Sequence, residues 1–200
     1  MKLNKSIKKE LKPWSVKSSR VILEDHWIKL RVDDCLTSDA VAVSPYYVLE
    51  YPSWVHMVVM NDKNQILITE QYRHGAGTIF FELPCGTQDA KDKNPLEAAR
   101  RELLEEVGYK GDFILAGETS PNPASHANWI YTFLVMNPMK VSQPQENPKE
   151  IMNYQFIDLE RIFQMIDKGK FQQALHISSL TLGLRKKDID LSVEGRSVLK

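Results

Sequence analysis

From Glu97 to Tyr109 the chain reads EAARRELLEEVGY, and this stretch decides what the rest of the sequence can build. At about 100° per residue, Leu96, Ala99, Leu103 and Val107 fall on one arc, a stripe suited to a core. Asn94 suits an N-cap, Pro95 the first turn and Gly108 the C′ position, so a helix is bounded at both ends. Glu102 and Glu106 stand four apart beside the apolar stripe, and Glu105 flanks them. Like charges at this spacing repel by a few tenths of a kcal/mol per pair. A divalent cation removes that cost, and Mg²⁺ favours a few hard carboxylate oxygens with water and phosphate completing its shell. By itself the helix fits an ordinary solvated helix better, with Arg101 and Glu105 as an i,i+4 pair. The flanking residues reverse that preference.

Outward from the helix the period changes to that of strands. Upstream, VILEDHWIKLRVDD (21–34) and YYVLEY (46–51) are rich in β-branched and aromatic residues. WVHMVVM (54–60) and QILITEQYR (65–73) flank NDKN (61–64), which predicts a hairpin. TIFFEL (78–83) is a further strand, stopped by Pro84. Downstream, FILAGE (113–118) and WIYTFLVM (129–136) read as strands, and NPMKVSQPQENPKE (137–150) as a loop. MNYQFI (152–157) predicts a short strand, followed by a helix from Asp158 to about Gly169 and another from about Gln172 to Leu184. This order predicts an α/β fold with a mixed β-sheet and helices on both faces.

Composition narrows the function classes. Lys+Arg and Asp+Glu are both 26, so no basic field marks a nucleic-acid partner and an anionic ligand must be held locally. Cys35 and Cys85 make no disulfide framework in a chain of 200 residues. No apolar run approaches the roughly 20 residues of a membrane span. The opening MKLNKSIKKELKPW is basic but leads into no apolar segment, so a cytoplasmic protein is the expectation. The expected organisation is an N-terminal arm (1–19), N-terminal strands (20–52) and a main domain (53–200).

ELPCG (82–86), the loop after it and RELLEEVGY (101–109) together resemble the Nudix box. That box runs Gly, five residues, Glu, seven residues, then Arg-Glu-apolar-x-Glu-Glu-x-Gly-apolar. Its second half matches at Arg101, Glu102, Leu103, Glu105, Glu106, Gly108 and Tyr109. In the first half, the Gly place falls on Thr87 and the Glu place on Lys93. One extra loop residue restores Gly86 and brings Asp92 to the Glu place, where a shorter side chain can still pair with Arg101. The Gln-Tyr-Arg of residues 71–73 and SPNPASHANW (120–129) resemble the ADP-ribose pyrophosphatase branch of the family.

The resemblance implies a Nudix fold, a mixed sheet sandwiched between helices with an N-terminal antiparallel β extension. It implies Glu102 and Glu106 as direct Mg²⁺ ligands, with Mn²⁺ as the alternative ion. Glu105 would bind metal or orient water, and the main-chain carbonyl of Cys85 would be a further ligand. Glu82 would touch metal-bound water or substrate, with a structural hydrogen bond as its alternative role. Arg73 would bind phosphate through its planar fork, with a surface salt bridge as the alternative. Trp27 and Tyr47 occupy places where the branch stacks its adenine across a homodimer, although strand aromatics more often serve a core. A downstream loop carboxylate would be the catalytic base, either Glu150 or Glu146, and Glu150 is preferred because it directly precedes a strand. The implied reaction is Mg²⁺-dependent hydrolysis of the diphosphate linkage of a nucleoside-diphosphate sugar, ADP-ribose to AMP and ribose 5-phosphate. The competing expectations are a Nudix hydrolase of a dinucleoside polyphosphate or oxidised nucleotide, and a non-catalytic nucleotide-sensing module.

Overall fold

The computed structural model describes residues 11–145, 147 and 151–187, and Glu146 and Glu150 lie outside the described residues. The chain divides into two compact units, Met1–Tyr51 with Asn122–Ala127, and Pro52–Pro121 with Asn128–Lys200.

The first unit is an antiparallel sheet of β1 (Ser15–Glu24), β2 (Lys29–Leu36) and β3 (Ala42–Glu50), with β2 central. The strand-forming stretch 21–34 holds the end of β1 and most of β2, joined by a tight turn. Asp25 causes the break, because its Oδ1 accepts from the Trp27 and Ile28 N–H groups at 2.7 and 2.9 Å. Trp27 therefore sits on a turn rather than in a strand, and it is 74% exposed. β1 begins at Ser15, inside the span expected to be an arm. Every residue of β1 is exposed, whereas β2 buries Val32, Asp33 and Cys35. The 122–127 segment closes on β3 through Leu49 N–H to Ser125 O at 2.7 Å and Ala127 N–H to Leu49 O at 3.0 Å.

The second unit holds, in chain order, β4 (Trp54–Val59), β5 (Gln65–Arg73), β6 (Thr78–Glu82), β7 (Cys85–Thr87), α1 (Pro95–Val107), β8 (Tyr109–Thr119), β9 (Ile130–Lys140), β10 (Met152–Asp158), α2 (Leu159–Asp167) and α3 (Ala174–Lys186). One sheet runs β7-β4-β9-β8 and a second runs β10-β5-β6. The first is mixed, since β4 and β9 are parallel while β7 and β8 pair antiparallel at the two ends. β4 is buried on both faces. Val55, Met57 and Val59 pack with Ala98, Ala99, Leu103 and Val107 of α1. Val58 and Met60 pack with Ile162 of α2 and with Leu180 and Leu184 of α3. Alternate residues of one strand thus feed two cores, one per helical layer. At Gly183 a Cβ would stand 2.7 Å from Val58, so α3 approaches β4 where only glycine fits.

Two further expectations need correction. NDKN does form a turn, with Asn61 Oδ1 accepting from Lys63 and Gln65 N–H, but β4 and β5 do not form a hairpin ladder. Only the Met60–Ile66 bridge joins them, because β4 has β7 on one edge and β9 on the other. The loop expected from residue 137 also starts later, since β9 continues to Lys140 against Tyr109 of β8.

Candidate active site

The carboxylate face of α1 is built locally. Asn94 Oδ1 accepts from Glu97 N–H at 3.0 Å, and Gly108 closes the other end at φ 69° with its N–H on Leu103 and Leu104 carbonyls. Between these caps the buried stripe of Ala98, Ala99, Leu103 and Val107 fixes the helix rotation, and Glu102, Glu105 and Glu106 stand half-buried beside it.

β7 lies across this face. The Cys85 N–H donates to Glu106 Oε2 at 3.1 Å, and the Thr87 N–H donates to Glu102 Oε1 at 3.2 Å. Between them, Gly86 leaves room for Glu102, whose Cδ would lie 2.0 Å from a Cβ there. Gly86 therefore does what the displaced motif glycine should do. Burial raises the Glu102 pKa, opposed by the Arg101 guanidinium and the Thr87 N–H. A half-desolvated carboxylate flanked by two more is a group whose charge a cation would favour.

Arg101 ties the preceding loop to the helix. Its Nη2 donates to Asp92 Oδ2 at 2.8 Å and to Thr87 O at 2.9 Å, and its Nε reaches Asp92 Oδ1 at 3.2 Å. Its Nη1 reaches Glu102 Oε1 at 2.9 Å and Glu105 Oε2 at 3.1 Å. The hydrogen bonds from Arg101 hold the Asp92 carboxyl below the usual range. The extra loop residue brings the shorter aspartate within reach of the arginine, in a two-pronged pair.

A second cluster sits at the end of β6. Glu82 is 1% exposed, and its Oε2 accepts from Arg73 Nε at 2.8 Å, Arg73 Nη2 at 2.7 Å and Gln71 Nε2 at 3.3 Å. Arg73 Nη2 also lies 3.5 Å from Cys85 Sγ. The Arg73 side chain is 42% exposed, whereas the Glu82 carboxylate that holds it is buried. From α3, His176 Nδ1 accepts the Leu83 N–H at 3.0 Å and Nε2 faces Glu82 Oε1 at 3.7 Å.

Two donor sets are therefore candidates for a metal. Glu82, Cys85 and His176 carry donor atoms within 4.8 Å of one another. Their chemistry does not fit. A metal-bound histidine keeps its other ring nitrogen as a donor, but here that nitrogen accepts the Leu83 N–H, which leaves the proton on Nε2. Burial, with Glu106 adding to it, pushes the Cys85 thiol well above its usual range, and the Arg73 cation already neutralises Glu82. The α1 carboxylates offer the donor chemistry a hard cation prefers, carboxylate oxygens on one helix face with main-chain groups of β7 close to two of them.

Residues 50–177 match the NUDIX domain family, which is more than half of the chain. The chain belongs to the Nudix hydrolase family. Residues 14–49, outside that match, fit the nucleoside diphosphate sugar hydrolase N-terminal domain. Among curated proteins, the chain is 28% identical over 154 residues to a methanol dehydrogenase activator from Bacillus methanolicus, covering 76% of each. It is 31% identical over 106 residues to an ADP-ribose pyrophosphatase from Mycobacterium tuberculosis, covering 52% of this chain and 50% of that protein. A crystal structure of an ADP compounds hydrolase superposes with a TM-score of 0.78 at 19% identity, over 92% of this chain and 100% of the other.

Within the Nudix unit, Arg73, Glu82, Cys85, Glu102, Glu105 and Glu106 converge on the β6–β7 turn and α1. Trp27 and Tyr47 belong to the N-terminal unit and are 74% and 52% exposed, so neither serves its core. Sequence reasoning missed His176 and Gln71. Gln71 stands two residues before Arg73 on the same strand face, a signal that alternation alone could have supplied. His176 lies in ALHISSL, an unremarkable amphipathic stretch whose partners are remote in sequence.

Proposed function

We propose that this protein hydrolyses the diphosphate linkage of a nucleoside-diphosphate sugar in a divalent-metal-dependent reaction, with ADP-ribose yielding AMP and ribose 5-phosphate. The observation that carries the proposal is the pairing of two features. Glu102, Glu105 and Glu106 share one helix face beside β7, and a partly exposed Arg73 side chain is held by the buried Glu82. The match of residues 14–49 to a nucleoside diphosphate sugar hydrolase domain supports the substrate class, as do the names of the ADP-ribose and ADP-compound relatives.

Glu102 and Glu106 are the residues to hold Mg²⁺ or Mn²⁺, joined by the Cys85 carbonyl. When bound, the ion supplies charge neutralisation at the phosphate oxygens and a more acidic water. Arg73 offers a planar fork to the same phosphates. Glu105 binds metal or orients water, and it starts paired with Arg101. The base is proposed to be Glu150, with Glu146 as the alternative, and whichever serves should lose about 10²–10⁴-fold in turnover on change to Gln. Trp27 and Tyr47 are proposed to stack the base, and strands 20–52 to form a homodimer in a cytoplasmic enzyme. Among the described residues no helix is long and apolar enough to cross a membrane.

A sensing module that binds without cutting is less well supported, because Asp92 retains the loop-to-helix tie to Arg101 that the altered box put at risk. The deciding experiment is a panel of nucleoside-diphosphate sugars, dinucleoside polyphosphates and oxidised nucleotides, assayed with Mg²⁺ and with chelator. Metal-dependent release of AMP from ADP-ribose in preference to the other substrates is expected. Binding without release of any nucleoside monophosphate would refute hydrolysis, and a strong preference for polyphosphates would refute the sugar assignment.

A further inference from the structure

We infer that His176 is a positioning residue for Arg73, acting through the carboxylate of Glu82. The inference rests on the proposed role of Arg73 as the phosphate-binding arginine.

The two oxygens of Glu82 have different neighbours. Oε2 takes Arg73 Nε and Nη2 and the amide of Gln71. Oε1 faces His176 Nε2 at 3.7 Å, with both side chains 2% exposed. The tautomer of His176 follows from its other ring nitrogen. Nδ1 accepts the Leu83 N–H at 3.0 Å, so its lone pair points there and a neutral ring carries its proton on Nε2, toward Glu82. Burial keeps the ring neutral by lowering its pKa well below the usual value, reinforced by His56 and Arg73. At 3.7 Å the contact is a charge–dipole one rather than a full hydrogen bond, but in a site screened from water such contacts count for more than in solvent.

The ring itself is held. His56 stacks on it at 4.3 Å with planes 19° apart, and His56 Nδ1 lies 2.8 Å from Ser179 Oγ, which in turn accepts from Thr132 Oγ1 at 2.9 Å. One side chain of α3 therefore fixes both the main chain just after Glu82 and the inner oxygen of its carboxylate. The outer oxygen is left to aim Arg73, and only Arg73 of this chain of groups has substantial exposure. A loosened Glu82 would still neutralise Arg73 but would no longer fix the direction of its fork. The loss should fall on substrate affinity more than on the chemical step.

The test separates the two ring functions. His176→Asn keeps an acceptor near the Nδ1 position for Leu83 but withdraws the donor from Glu82. His176→Gln places an amide N–H at the reach of Nε2. With ADP-ribose and Mg²⁺, His176→Asn should raise KM about tenfold with kcat within about twofold, and His176→Gln should stay within about threefold of wild type in both. Independently of turnover, solvent exchange of the Arg73 Nε–H, assigned by NMR with Arg73→Lys, should be at least about tenfold faster in His176→Asn and restored in His176→Gln. Equal KM changes in the two variants, or unchanged exchange in His176→Asn, would overturn the inference. Should neither variant fold, long-range ¹⁵N NMR on the wild-type protein decides: an Nδ1–H tautomer at His176 overturns it and an Nε2–H tautomer upholds it. If wild type leaves ADP-ribose intact, the proposed function fails while the exchange and tautomer readouts still judge the positioning.

Discussion

Gly86 stands directly against Glu102, close enough that a Cβ on Gly86 would lie 2.0 Å from the Glu102 Cδ and 2.4 Å from its Oε1. The clash is with side-chain atoms of Glu102, Cγ included, and not with backbone, so the side chain yields before the backbone does. Gly86→Ala should therefore leave the protein folded, with a stability change of about 1 kcal/mol or less. It should still expel Glu102 from its place beside the Thr87 N–H and lower metal-dependent turnover about 10–100-fold. Thermal unfolding and a Mg²⁺ titration of activity check both halves. Wild-type turnover at subsaturating Mg²⁺ would show that the contact has no bearing on the metal.

Removing the charges themselves should cost more than displacing one of them. Glu106→Gln and Glu102→Gln keep shape and most hydrogen-bonding reach, so each should fold normally and lose at least about 100-fold in turnover. Their metal requirement should shift to higher concentration. Glu106→Gln also retains an acceptor for the Cys85 N–H, which separates loss of charge from loss of the β7 contact. Full turnover of either variant at ordinary Mg²⁺, or wild-type turnover in excess chelator, would remove the α1 carboxylates as the metal site.

What was readable in advance follows from the range of the interactions involved. Asn94, Pro95 and Gly108 cap α1 through contacts within a few residues, so its bounds and carboxylate face were plain from local pattern. The reach of Asp92 to Arg101 was implied by the resemblance of this loop and helix to the Nudix box. The separation of β4 from β5 could not be read, because NDKN specifies a turn but not the strands that flank each arm. Trp27 was misplaced for a smaller reason, an Asp25 side chain that caps the turn inside an apolar run. His176 was invisible, since its meaning comes from Leu83, Glu82 and His56, all on other elements.

The N-terminal sheet supports an expectation about assembly. Val16, Val21, Ile22, Leu23, Trp27 and Tyr47 are each about half exposed or more, apolar side chains that a partner surface would cover. A dimer should be seen by sedimentation at micromolar concentration. Val21→Asp together with Leu23→Asp should shift it toward monomer and weaken ADP-ribose binding if the base site is shared. A wild-type monomer with normal activity would remove both the dimer and the shared site.

The buried histidines predict how stability responds to acid. Burial lowers the His56 pKa from 6.5 to about 3, with Arg73 adding to the effect, and His176 is shifted in the same direction. The sign is set by which state binds the proton. Above pH 6.5 neither state holds it, so these groups contribute no slope. Below pH 6.5 the unfolded chain takes up protons that the folded core refuses, so stability falls as pH falls. For one such histidine the loss approaches about 1.4 kcal/mol per pH unit, and it continues down to the folded-state pKa. For His56 that window runs from pH 6.5 to about 3. Urea unfolding at several pH values between 7 and 5 should therefore show a midpoint that drops steadily with acid. His56→Asn, which keeps a hydrogen-bonding atom near the Nδ1 position toward Ser179 but cannot titrate, should be less stable at pH 7 and should flatten the slope by about one proton's worth. A midpoint independent of pH across this range in wild type would mean that the unfolded and folded states bind protons alike, and would overturn the reading of the stacked, enclosed His56 and His176 as rings that burial keeps neutral.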